Sequence, residues 1–517
     1  MQAMPTQPLP PTEAPLAAVD MGSNSFRLET GQIVRGRYRR IDYIKDTVRL
    51  GAGLDGNGLL TDEAAERGLD CLRRFAARLA GFAPAQVRAV ATQTLREARN
   101  RDAFLLRAQA ALGQPIEVIS GREEARLIYA GVAHLQPSVQ RRLVIDIGGR
   151  STEMILGQGE RATKAESFAV GSVSLSMRHF ADGVLTASRF RSAQVAAGAE
   201  LEEALLPFAP DCWEEALGSS GTVGAVSQVL AAAGRDDGLI TANNLQWLIG
   251  RCVAAGHVDK LDLPGLKVER RPVIAGGLAL LYTLAAQFGI ERLTPARGAL
   301  RQGVIIDLHE RLAARRVGAA ARASAAGGDR RDASVRELQR RFEIDTAQAT
   351  RVRRVAQALF RDAASDDAEG ARELGWAADL HEIGLMVSHH DHHRHSAYLL
   401  AHVDAPAFSQ TQQRALATIV LGQRGGLRKI EEAMTDRRFV LQVMALRLAV
   451  IKCHARGDVR DDALSLQTDG HAARLRMADG WAEARPRTLY LLQEEAQAWE
   501  RSGVMRLSLG RHSGGVG

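Results

Sequence analysis

Cysteine is scarce in this chain. Cys71, Cys212, Cys252 and Cys453 are widely spaced, and no CxxC pair occurs among 517 residues. That excludes a disulfide framework and a thiolate zinc site, and fits a reducing, cytoplasmic setting. Lysine is also scarce for so long a protein, at 6 residues against 61 arginines. Aromatic residues make up 5%, and no aromatic RNP pattern is present, so nucleic acid is not an expected partner. No GxxxxGK[ST] sequence occurs, which excludes a Walker phosphate loop. The N-terminus lacks the basic flank and apolar core of a signal peptide. The longest apolar stretch, Val273 to Ile290, carries Thr283, Gln287 and three glycines. It reads as a buried helix, and no transmembrane segment is expected.

What is present is an ordinary globular composition, with 46% hydrophobic and 25% charged residues, and a formal net charge of +7. The positive balance favours polyanionic partners without choosing among them. Residues 1–15 contain five prolines and are expected to be a disordered leader. From 16 to 312, short apolar runs (Ala17–Val19, Val87–Ala91, Ile116–Ile119, Leu143–Ile147) alternate with helical patterns at 62–80, 101–112 and 122–134. That alternation predicts an α/β architecture. Residues 313–334, rich in Ala, Arg and Gly, read as a linker. Residues 335–517 read as helical throughout, with long amphipathic runs at 335–361, 410–421 and 438–454. Between 311 and 361 there are thirteen Arg/Lys against five Asp/Glu, a candidate polyanion track that is also what a solvated helix face looks like.

An internal repeat with an offset of 126 residues is the strongest structural signal. Val19-Asp20-Met21-Gly22-Ser23-Asn24-Ser25, followed by Gly31-Gln32, is matched by Ile145-Asp146-Ile147-Gly148-Gly149-Arg150-Ser151, followed by Gly157-Gln158. Each copy is an apolar strand ending in Asp, then a Gly/Ser turn. Two such halves facing one another form a cleft. Strand-end aspartates suit Mg²⁺, held directly or through water. Successive turn N–H groups suit phosphate oxygens, with glycine allowing close approach and Ser25 and Ser151 adding hydroxyls. A third candidate phosphate loop is Gly218-Ser219-Ser220-Gly221-Thr222.

These segments, with Ala91-Thr92-Gln93-Thr94-Leu95-Arg96, Ser120-Gly121-Arg122-Glu123-Glu124 and Gly298-Ala299-Leu300-Arg301, resemble the exopolyphosphatase/guanosine pentaphosphate phosphohydrolase family. Leu380-His381-Glu382-Ile383-Gly384 and His393-Arg394-His395-Ser396 resemble the helical domain of its longer members. The resemblance implies an actin-like (ribonuclease H-like), duplicated two-lobed ATPase fold with lobes at 16–135 and 136–312, followed by an all-α, HD-like domain. It implies hydrolysis of the terminal phosphate of inorganic polyphosphate, processive and dependent on Mg²⁺ or Mn²⁺, with guanosine pentaphosphate 5′-phosphohydrolase as the alternative. A homodimer is implied as well. Glu124 is the implied catalytic base and Glu123 the second candidate. Asp20 and Asp146 are the implied metal ligands. Arg96, Ser23, Asn24, Ser25, Gly148, Gly149, Ser151, Gly218, Ser219 and Ser220 are the implied phosphate-binding residues.

Two departures stand out. Arg150 replaces the third glycine of a usual Gly-Gly-Gly-Ser turn, which either narrows the loop's freedom or places a cation near phosphate. Gln302 stands where Glu is frequent. Seven histidines fall between His381 and His402, but the dyad is His381-Glu382 and residues 335–380 hold no histidine. A structural or polyanion-contacting role, with partly protonated histidines, is therefore expected over a second metal site. Two rivals differ in kind. A sugar kinase is disfavoured because Glu124 opens a helix and no adenosine-pocket motif is evident. A non-catalytic polyphosphate-binding protein leaves the paired Asp turns and the Glu pair without a purpose.

Overall fold

A computed structural model describes residues 13–320, 329–364, 366–388, 391–456 and 463–511. It divides into two compact units, the first ending and the second beginning near residue 326. Residues 1–12 of the expected leader lie outside the described residues.

The N-terminal unit holds two five-stranded sheets. The first comprises β1 (Leu16–Met21), β2 (Phe26–Val34), β3 (Arg37–Asp46), β4 (Val87–Ala91) and β5 (Ile116–Val118), ordered β3-β2-β1-β4-β5. The second comprises β6 (Arg141–Ile147), β7 (Thr152–Gln158), β8 (Arg161–Phe168), β9 (Glu215–Gly218) and β10 (Leu293–Pro295), ordered β8-β7-β6-β9-β10. The first three strands of each sheet are antiparallel, and the last two run parallel to its central strand. The two halves thus share one topology, the duplicated actin-like arrangement.

The duplication reaches single residues. Each sheet carries a register shift at the repeat glycine, Thr30/Gly31 in one and Leu156/Gly157 in the other. Both glycines lie under a tyrosine ring. A Cβ on Gly31 would stand 2.7 Å from Tyr38, and one on Gly157 2.2 Å from Tyr129. The central strands β1 and β6 are almost wholly buried. Their continuous apolar runs follow from helices covering both faces.

Chain order does not give the spatial lobes. Helix Gly121–Leu135 packs on β7 and β8 of the second sheet, whereas helix Leu300–Ala320 packs on β1 and β2 of the first. The division at 135/136 is corrected accordingly: each half lends a helix to the other. The two helices cross closely because glycine meets backbone there. A Cβ on Gly303 would fall 1.8 Å from Leu127 O, and one on Gly131 2.4 Å from Ala299 O. Around this crossing Arg88, Glu123, Arg126, Asp307 and Arg311 form a buried ion network.

The stretch read as a linker, 313–334, is also corrected. Helix Leu300–Ala320 runs eight residues into it and helix Arg330–Arg341 begins within it. Residues 321–328 lie outside the described residues. Helix Arg271–Gln287 accounts for the apolar run and is largely buried. No described helix is long and apolar enough to cross a membrane.

The C-terminal unit holds seven helices of eleven or more residues among the described residues, and one of them, Arg437–Lys452, is buried along most of its length and packs on four of the others. The run 335–361 proves to be two helices, because Glu343 takes a left-handed conformation and Asp345 caps the second by accepting from Gln348 N at 2.9 Å. The all-α expectation is corrected by a sheet of β11 (Leu464–Asp469), β12 (Ala472–Met477) and β13 (Arg506–Arg511). Its cause is period-two patterning: Leu464 and Leu466, Ala473 and Leu475, and Leu507 turn inward while their neighbours are more exposed.

Candidate active site

Strand β1 delivers Asp20 and strand β6 delivers Asp146 to one cleft of about 480 Å³. Each strand ends in a turn held from outside. Gly51 N donates to Ser23 O at 2.7 Å and Arg49 N to Asn24 O at 2.9 Å. In the second turn Gly148 N donates to Ser151 O at 2.9 Å, and Ser172 N to Gly148 O at 3.0 Å. The turns touch, since a Cβ on Gly149 would lie 3.1 Å from Ser23 Cβ and 3.5 Å from Asn24 N. A third loop follows β9. Ser220 caps helix Gly221–Ala232 by accepting from Val223 N at 3.0 Å, so the positive end of that helix faces the cleft.

Helix Gly121–Leu135 starts at Ser120, whose hydroxyl accepts from Glu123 N at 3.2 Å. Such a cap stabilises a helix by about 1 kcal/mol. Adjacent residues on a helix point about 100° apart, which separates Glu123 from Glu124. Glu124 lines the cleft and receives Arg96 Nη1 on Oε2 at 2.8 Å. Burial raises its pKa to about 7, with Arg96 opposing and Asp146 and Asp20 adding to the rise. Burial likewise raises Asp146 to about 6, against a hydrogen bond from Ser219 and the charge of Arg27. Glu123 is fully buried on the other side. Burial alone would raise it, but Arg126, at 2.7 and 2.8 Å, and Arg88 keep it ionised below the usual range.

Eleven of the fourteen residues expected at the site line the cleft: Asp20, Ser23, Asn24, Ser25, Glu124, Asp146, Gly148, Gly149, Ser151, Ser219 and Ser220. Glu123, Arg96 and Gly218 do not. Glu123 belongs to the ion network at the helix crossing. Arg96 stands behind Glu124, its fork spent on Glu124, Gln93 and Ile119 O. Gly218 packs under the third loop, where a Cβ would meet Val223 at 2.6 Å.

Residue-by-residue reading missed several groups. Glu153 lies opposite Asp146 in the β6–β7 register, as Arg27 lies opposite Asp20 in β1–β2. The same offset of 126 relates Arg27 to Glu153, so the repeat contained the signal. Arg27 Nη1 donates to Asp20 Oδ2 at 3.0 Å, and Arg301 Nη1 is 3.6 Å from the same oxygen. Glu153 is buried and accepts from Ser167 Oγ at 2.8 Å. Its proton affinity is raised well above the ordinary value by burial, then by Glu124 and Asp146. The twin aspartates are therefore unlike: Asp20 pairs directly with Arg27 and lies near Arg301, while Asp146 feels the same two arginines without a direct ion pair and adds to the raised proton affinity of Glu124 and Glu153. Lys45, Lys267 and Arg270 also line the cleft. Burial and then Arg270, Arg27 and Lys267 lower the pKa of Lys45, which marks a crowd of cations short of counter-charge.

Mg²⁺ is held by one or two carboxylates and keeps most of its water. No described group of three or more His, Cys, Asp or Glu residues forms a ready metal cage. The carboxylates around Asp146 fit a cation held in part by substrate oxygens, since burial has raised their proton affinity and a cation would take the place of protons.

In the C-terminal unit, His381 is buried with Nδ1 2.7 Å from Ala378 O. Burial lowers its pKa, and lowers that of His393 to about 4 with help from Lys429. The expected partly protonated histidines are corrected at these two positions: they are neutral near pH 7. His389 and His390 lie outside the described residues.

Residues 32–312 match the model of the Ppx/GppA phosphatase family, and residues 330–496 match domain III of that family. Among solved structures, an exopolyphosphatase-like protein aligns at 24% identity and a TM-score of 0.53, over 59% of this chain and all of the other. An exopolyphosphatase from Cytophaga hutchinsonii aligns at 24% identity and a TM-score of 0.52, over 57% of this chain and 98% of the other. These likenesses establish a shared fold.

Proposed function

The chain belongs to the Ppx/GppA phosphatase family, hydrolases of phosphoanhydride bonds, and from that premise we propose that it removes the terminal phosphate of inorganic polyphosphate. One observation carries the reading. A carboxylate with raised proton affinity, Glu124, faces Asp146 and three N–H-rich turns in a cleft bordered by Arg27, Lys45, Arg270 and Arg301. Hydrolysis needs an in-line water, charge neutralisation and a group that orients the water. Glu124 takes the water's proton, and Arg96 holds its carboxylate in place. Turn amides from Ser23–Ser25 and Gly149–Ser151, with the hydroxyl of Ser220, grip the terminal phosphoryl oxygens, while Ser219 Oγ donates to Gly298 O at 2.9 Å and shapes the loop. Gly218 supports that loop from beneath. Asp146, with Glu153 beside it, would hold the divalent cation, Mg²⁺ or Mn²⁺. A bound cation there supplies charge neutralisation on the transferred group.

Polyphosphate is favoured over guanosine pentaphosphate by the walls of the cleft. Tyr43 is the one aromatic among the lining residues, and the guanidinium groups of Arg301 and Arg40 lie 5.1 and 5.8 Å from its ring centre. The ring itself is exposed, and the reading rests on the cations beside it, which with Lys45, Lys267 and Arg270 supply the repeated positive charge that a polyanion takes. Comparing kcat/KM on long polyphosphate with that on guanosine pentaphosphate tests the preference. A ratio favouring the nucleotide overturns it. The homodimer that the family resemblance implies is tested by light scattering on the full chain.

A further inference from the structure

The turn between β6 and β7 carries Arg150 where the first copy of the repeat has Asn24. Its guanidinium does not line the cleft. It crosses instead to the half built on the first sheet. Nη2 and Nε lie 2.7 and 2.9 Å from Glu97 Oε2, and Nη1 donates to Gly51 O at 3.2 Å. Gly51 supplies the passage, because a Cβ there would stand 2.9 Å from Arg150 Cδ.

The contact continues inward. The other Glu97 oxygen accepts from Gln93 Nε2 at 2.6 Å. Gln93 Oε1 accepts from Arg96 Nε at 2.9 Å and Nη2 at 2.6 Å. Arg96 Nη1 then donates to Glu124 Oε2 at 2.8 Å. Five side chains thus form an unbroken path from a phosphate-binding turn of the second sheet, through Glu97, Gln93 and Arg96 of the first half, to Glu124, whose helix packs on the second sheet.

We propose that Arg150 is a positioning residue which ties the alignment of Glu124 to the meeting of the two turns. The proposal rests on Glu124 being the base. With Arg150 in place, Glu97 is fixed on both oxygens, Gln93 presents its carbonyl to Arg96, and the Arg96 fork has one orientation. Without it, the Glu97 carboxylate, about a third exposed, turns to water and the inner links lose their anchor. An ion pair this exposed adds little to folding stability. Its effect lies in alignment, where small displacements cost large factors in rate.

The test uses the full chain. Arg150→Asn installs the residue of the first repeat copy. It is expected to lower kcat roughly tenfold to a hundredfold while KM stays within about threefold. The melting temperature is expected to move by less than about 2 °C. Arg150→Lys recovers part of the kcat, since an ammonium can still reach Glu97. Glu97→Gln mimics Arg150→Asn, and the double variant is no slower than the worse single one, as expected for one path. A kcat for Arg150→Asn within about twofold of wild type, or losses that simply add, overturns the proposal. If the wild-type chain released no phosphate, the base assignment would fail first. The cross-lobe contact would then be read alone, by electron–electron distance between labels at Arg73 and Glu160 in a Cys212→Ser background. A distribution that lengthens and broadens in Arg150→Asn supports the contact, and an unchanged one overturns it.

Discussion

Glu123 and Glu124 share a helical turn, yet the fold gives them opposite tasks. One is neutralised by arginines at a helix crossing, and the other is left under-neutralised beside a cleft. Glu124→Gln keeps size and hydrogen bonding but cannot accept the water's proton. Phosphate release should fall roughly 10²–10⁴-fold with the fold intact by circular dichroism. The pH dependence follows from the same burial. The base must be ionised, and its pKa is raised to about 7, so kcat/KM should climb as pH rises toward neutrality. A bound cation lowers the proton affinity of nearby carboxylates, so raising Mg²⁺ should move that acid limb to lower pH. A limb unmoved by Mg²⁺ would argue against a cation near Asp146. The asymmetry of Asp20 and Asp146 was only half legible in the sequence. The repeat paired the aspartates, but Arg27 and Glu153 became meaningful once the strand register set them opposite.

At the scale of elements, strands were legible because buried runs and Asp-ended turns are local signals. Val87–Ala91 was read with its observed limits, and the helix read at 101–112 likewise. The exchange of helices was not legible, because it depends on which sheet a helix meets long after it leaves its own. Gly131 and Gly303 carry that exchange through backbone contact. Gly303→Ala should destabilise the N-terminal unit by about 1–3 kcal/mol or more, seen as a lower urea midpoint. No such loss is expected at Gly224, where a Cβ meets nothing within 4 Å. The C-terminal sheet escaped notice because its strands have six residues each, too short beside long helical runs to shift the reading.

At the scale of the whole molecule, a cutting unit precedes a helical unit with a basic stretch. Arg336, Arg340 and Arg341 are exposed on one helix of that second unit. If they grip the chain between cuts, replacing all three with Ala should leave kcat on short polyphosphate unchanged and make long chains shorten distributively, visible as a ladder on gels. Unchanged processivity would confine substrate binding to the cleft. The two-unit order was legible from residue 16 onward, because alternating apolar runs give way to helical periodicity near residue 335. Substrate choice was less so, since it depends on which cations and rings border the cleft. The central claim is most directly tested by phosphate release from long polyphosphate with and without Mg²⁺, wild type beside Glu124→Gln. The account predicts Mg²⁺-dependent release that the substitution nearly abolishes. Release that survives in Glu124→Gln, or none from the wild-type chain, would contradict it.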